Sequence, residues 1–159
     1  MSALDLTNPA LALSFLPTSL SIVQLRPSQT VPARLLAILA GGEGVEDAAF
    51  VSLTRTPAET SIILPTELLE EMYPASRVQS PDQPLETSKG WATLKIAGPM
   101  DLSLSGILHE LTRPLKHAGV PVFASSTWDT DYVLINAENR VKAKAALEGA
   151  GWSFSVENP

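Results

Sequence analysis

The chain has 159 residues, a length that suits one domain or two very small ones. It is 45% hydrophobic and 18% charged, which permits a real core and excludes wholesale disorder. Eleven Lys and Arg stand against 17 Asp and Glu, a net charge of −6 with no basic block, so the phosphate-neutralising footprint of a nucleic-acid binder is missing. Cysteine is absent, which removes disulfides, Cys-ligated zinc and thiol catalysis together.

The first nine residues carry Asp5 and no basic residue, and the apolar run 11–16 stops at Pro17, unlike a secretory signal. No stretch approaches the roughly 20 apolar residues that span a bilayer. A cytoplasmic protein without membrane association is expected.

In chain order, Leu11–Leu16 and Leu20–Leu25 read as strands bounded by Pro17 and Pro27. Pro32–Ala40 reads as a helix, with proline in its first turn and Gly41-Gly42 as its stop. Ala49–Thr54 and Ser61–Leu64 are two more strands around a hairpin loop containing Pro57. Thr66–Met72 is a short helix with Thr66 as a plausible N-cap, and the polar, proline-containing stretch Ser76–Lys89 reads as a connection.

From Trp91 the pattern sharpens. Trp91–Ala97 alternates as a strand and Gly98-Pro99 breaks it. Over 104–118 the apolar residues Leu104, Ile107, Leu108, Leu111 and Leu115 trace one helical face, with Pro114 expected to bend it and Gly119 to stop it. Val120–Ser125 and Asp131–Ile135 are strands around the turn 127–130. Asn136 caps a helix with Val141, Ala145, Ala146 and Leu147 inward, and Trp152–Val156 alternates as a last strand. Residues 91–156 thus spell βαββαβ, the split βαβ arrangement with two helices on one face of a four-stranded antiparallel sheet. The N-terminal half repeats this order more loosely, giving an α+β chain with an N-terminal module at 11–75, a connection at 76–89 and a C-terminal module at 90–157. Modules with one uncovered sheet face and free edges commonly pair, so a homodimer is expected.

Two polar loops could carry chemistry. The first, Gly98–Gly106, places Ser103 and Ser105 where a helix start leaves backbone N–H groups without partners, a setting that attracts a carboxylate. Asp101 offers the opposite charge for an ammonium group. The plainer alternative is that Ser103 or Ser105 only caps the helix. The second, Ser125–Asp131, gathers Ser126, Thr127, Trp128 and Asp131, and Asp131 could pair with an ammonium or guanidinium. Here the plainer alternative is a hairpin turn bonded to its own backbone.

Enzyme signatures are missing. His109 and His117 lie eight residues apart, about 12 Å along a helix, too far to share a metal. There is no G-x-S-x-G elbow, no G-x-G-x-x-G, and Gly41-Gly42-Glu43-Gly44 is not followed by Lys-Ser or Lys-Thr. No catalytic residue, cofactor or metal ligand is expected.

Three segments carry a resemblance. Phe50–Pro65 resembles the first-module hairpin of the CASTOR-like family of tandem ACT-domain proteins, Gly98–Leu108 resembles its strand-to-helix ligand loop, and Ser126–Ile135 is similar to its S-T-aromatic-x-T-D signature. The animal members carry four ACT modules and sense arginine; this chain, about half as long, looks more like short two-module microbial relatives. The resemblance implies two tandem ferredoxin-like ACT modules and a regulatory sensor that holds a free amino acid at an ACT–ACT interface. It implies that Asp101, Leu102, Ser103, Ser105, Gly106 and Ile107 meet the ligand's backbone, and that Ser126, Thr127, Trp128 and Asp131 meet its other parts. The family's acidic loop residue has no counterpart at Leu104, so arginine is a first ligand to test rather than an implied one. The competing expectation is an ACT-type assembly module that binds only a protein partner.

Overall fold

The computed structural model describes residues 4–41, 50–74, 81–100 and 105–155. It divides into two units, one of residues 17–90 and one of residues 1–16 with 91–159.

The 17–90 unit contains β2 (Leu20–Leu25), α1 (Ala33–Leu39), β3 (Ser52–Arg55), β4 (Thr60–Pro65) and α2 (Thr66–Met72), after β1 (Leu13–Phe15) of the other unit. β4 pairs antiparallel with both β2 and β3, in the register Val23↔Ile62 and Leu53↔Ile62. β5 (Glu86–Ile96) lies next to β2 in the strand order, and just before it Leu85 N donates to Gln24 O at 2.9 Å. The order across this unit is therefore β3-β4-β2-β5. Alternate residues of β2 and β4 (Val23, Leu25, Ile62 and Leu64) turn to one face and pack with Leu35 and Leu69 of the helices. Tyr73, at the end of α2, has its hydroxyl pKa raised by partial burial and by the nearby Asp82 carboxylate.

The other unit holds β1, the remainder of β5, α3 (Ile107–His117), β6 (Val122–Ser126), β7 (Asp131–Asn136) and α4 (Arg140–Gly149). β5 pairs antiparallel with β7, and β7 with β6. Leu94 and Ile96 of β5, Val133 and Ile135 of β7, Ile107, Leu111 and Leu115 of α3 and Ala143 and Leu147 of α4 form one core. The i, i+4, i+8 spacing on α3 is the cause: it lines three apolar side chains along one stripe. α3 continues through Pro114, which is itself buried. Asn136 accepts from Glu138 N and so caps the 3-10 turn Ala137–Asn139 that leads into α4.

Five sequence expectations need revision. On α4 the buried residues are Ala143 and Leu147, whereas Val141, 81% exposed, and Ala145 face outward, so the inner stripe is not the expected one. Residues 11–16 do not form one strand of the N-terminal module. Pro9–Leu11 is a 3-10 turn, and β1 pairs antiparallel with β5 in the unit that holds 91–159, Leu13 facing Ile96. The connection 76–89 is in part strand, since β5 starts at Glu86; residues 75–80 lie outside the described residues. The strand over 152–156 reduces to a parallel bridge between Phe154 and Leu13, because β1 occupies the place beside β5. Thr66 is the first helical residue rather than the N-cap; Pro65 holds that position, and the Thr66 hydroxyl bonds Ser21 at 2.9 Å. The inserted β1 is clamped from the helix layer: Phe15 stacks on Phe154 with centroids 5.8 Å apart, and Arg140 lies 4.4 Å above the Phe15 ring.

Candidate functional site

The two polar loops singled out in the sequence meet at one end of the 91–159 unit. As β5 ends, Ala97 N and Gly98 N donate to Ala12 O and Ala10 O, so the loop leaves the sheet along the β1 side. Gly98 has φ +68, and a Cβ there would lie 3.0 Å from Asp129 O and 3.2 Å from the Thr130 Cβ. Only glycine gives both that backbone and that approach. Two residues on, Met100 N donates to Asp129 O at 2.8 Å. From the opposite side Thr130, which is buried, donates its hydroxyl to Ile96 O at 2.6 Å. The strand-to-helix loop and the β6–β7 hairpin are thereby tied together at three points.

Asp101, Leu102, Ser103 and Leu104 lie outside the described residues. Beyond them Ser105 is exposed and does not cap α3. The N-cap is Gly106, at φ +82, with no side-chain bond to the helix. Among the described residues no side chain caps the first N–H groups of α3, a setting that attracts an anion. Ile107 is a core residue, so only its main chain is available to a ligand.

The hairpin residues divide in their roles. Thr127 donates both its N–H (2.8 Å) and its hydroxyl (3.1 Å) to Thr130 O, closing a two-residue turn around Trp128 and Asp129. Ser126 donates to Asp131 Oδ1 at 2.5 Å and holds that carboxylate at the start of β7. Trp128 is 81% exposed at the tip. Ser126, Thr127 and Asp131 thus flank Asp129 and Thr130, the hairpin residues that meet Gly98 and Met100, and Trp128 points into solvent. Gly98 and Thr130, which join the two loops, are not among the residues that the sequence marks as ligand contacts. The signal for Thr130 was its place in the T-D pair, and for Gly98 the Gly-Pro break.

The ACT domain family model matches residues 86–149. That stretch, β5 through α4, is similar to an ACT domain and has an α+β fold with an antiparallel sheet. The chain is similar to protein Atu0741 from Agobacterium tumefaciens, at 28% identity and a TM-score of 0.70, over 93% of this chain and 94% of that one. It shares its fold with the regulatory subunit of aspartate kinase from Thermus thermophilus, at 16% identity and a TM-score of 0.58, over 87% and 97% of the two chains. It also shares its fold with aspartate kinase from Synechocystis, at 18% identity and a TM-score of 0.64, over 98% of this chain and 29% of that one. No curated protein matches the sequence. Among the described residues no helix is long and apolar enough to cross a membrane, and no cluster of His, Asp or Glu could hold a metal ion.

Proposed function

We propose that this chain is a non-enzymatic regulatory sensor in which two tandem ACT modules answer to a free amino acid. The modules are the 17–90 unit and the unit built from β1 with residues 91–159. The repeated βαββα order of elements supports this reading, as does the fold shared with a protein named as a regulatory subunit. The observation that supports it most is the junction of Gly98–Met100 with Asp129–Thr130, which ties the segment after β5 to the hairpin that carries Asp131. In this reading Asp131, with Asp101, takes the ligand's positive charge, and the N–H groups at the start of α3 take its carboxylate. A second copy of the chain closes over the loops, and the ligand favours one packing of the modules over another. Relatedness to CASTOR-like sensors, a basic ligand such as arginine and work in the cytoplasm belong to the same proposal.

The test is calorimetric titration of the protein with each standard amino acid, arginine and lysine first, then repetition with Asp131→Ala. The expected result is one binder in the wild type and none in a variant that melts normally. Unchanged affinity in the variant would remove Asp131 from the site. One observation favours the competing reading, a ligand-free assembly module: the Ser126 and Thr127 hydroxyls are already bonded within the hairpin. Failure of every amino acid to bind at millimolar concentration would favour that module.

A further inference from the structure

β6 ends the strand order of the 91–159 unit, and among the described residues it pairs only with β7. Its apolar side chains are unusually open for a strand: Val122 is 37% exposed and Phe123 38%. The turn bond from Thr127 N to Thr130 O fixes which amides face outward. Bonded and non-bonded pairs alternate along an antiparallel ladder, so Val122, Ala124 and Ser126 point their N–H groups away from β7. An edge with free amides and apolar side chains is a template for another strand.

At the start of that edge lies a groove of about 580 Å3, between α3 and residues Val120 to Val122. His109, Arg113, Lys116 and His117 line it from the helix, and Val120 and Val122 from the strand side. None of its described lining residues is acidic. Glu110, on the same helix, is paired with Arg113 at 2.9 Å and lies 3.9 Å from His109. The groove's two formal cations, Arg113 and Lys116, make it a basic spot in a chain of net charge −6. From His109 to His117 it runs about 12 Å, close to the roughly 13 Å that four residues of a strand cover.

We propose that the β6 edge and the basic face of α3 together form a docking site for an acidic, extended segment of a partner protein. The segment adds to β6 as a further strand, and its alternate carboxylates enter the groove. A second copy is disfavoured as occupant, because a two-fold pairing of β6 edges sets the same basic face against itself. A small anion would use the cations and leave the β6 amides unused.

The probe is a fluorescent acetylated peptide of about eight alternating Glu and Val residues, titrated into the full chain and read by anisotropy. Binding should saturate, weaken as salt rises from about 50 to about 500 mM, and fall about tenfold or more in Arg113→Glu and Lys116→Glu. Ala124→Pro, which removes an outward amide and spares the β7 ladder, should weaken it equally. A backbone N-methylated version of the peptide makes the same test without altering the protein. Equal binding by the N-methylated peptide, or by a Lys–Val peptide of the same length, overturns the proposal. So does a dimer in sedimentation that Ala124→Pro dissociates, since the edge would then belong to a second copy.

Discussion

The hairpins of the two units occupy the same place in the element order, yet they end in different chemistry. Each begins with a threonine that closes a two-residue turn: Thr56 N donates to Glu59 O, and Thr127 N to Thr130 O, both at 2.8 Å. In each the fourth residue grips the first strand of the βαβ pair. Glu59 accepts from the Gln24 side chain on β2, whereas Thr130 donates to the Ile96 main chain on β5. The fifth residue then differs. Asp131 presents a carboxylate held by Ser126, while Thr60 is fully buried and its hydroxyl finds no partner among the described residues. A short hydroxyl that reaches a backbone carbonyl draws the hairpin in, and the next side chain, Asp131, bonds Ser126 within the hairpin. A long carboxylate spends that chemistry on a structural bond. The same scaffold therefore carries a candidate site at one hairpin and a structural hairpin at the other.

Substitutions can break that contrast, and the largest effect is expected at Gly98. Gly98→Ala combines a left-handed backbone with a Cβ 3.0 Å from Asp129 O, and should cost about 2–4 kcal/mol in chemical unfolding. Gly106→Ala has a similar φ, +82, with nothing within 4 Å, and should cost only the strain, about 1–2 kcal/mol. Equal losses would mean that the close approach at Gly98 contributes nothing.

Ligand linkage comes next. An amino acid at 100 times its dissociation constant should raise the unfolding free energy of the wild type by about 2.7 kcal/mol. Asp131→Ala should show no such rise, while Glu59→Ala, at the other hairpin, should keep it in full. Loss of protection in Glu59→Ala would move the ligand to the 17–90 unit.

Thr130→Val leaves the buried Ile96 carbonyl without its donor and should destabilise by about 1–3 kcal/mol, measured by denaturant titration. A cost near zero would show that the hairpin is held by Met100 N alone. The smallest effect belongs to Thr60→Val. It exchanges a buried hydroxyl without a partner for a methyl of the same shape, so stability should be unchanged or slightly raised. A marked loss would reveal a bonded group at Thr60.

Much of this was legible in the residues, and the exceptions share a cause. The apolar stripe of α3, the alternation of β5 and β7 and the cap at Asn136 are local patterns whose periods survive without tertiary help. The first residues of β5, Glu86–Lys89, are all exposed, so they carry no two-residue apolar alternation and read as linker. Ser105 had the better side chain for a cap, but the chain turns into α3 through a left-handed residue, and Gly106 takes that role.

The sequence by itself determined the buried stripe of α3, where the two polar loops fall and the order βαββα from Trp91 onward, because these depend on side-chain periodicity and turn chemistry within a few residues. Only the tertiary structure decided that β1 inserts between β5 and Phe154, that Gly98 and Met100 meet Asp129 and Thr130, and that β6 is left as an edge beside a basic helix face. Those are pairings between segments far apart in the chain. They are set by which strand completes the hydrogen bonds of which edge, and no local pattern carries that choice.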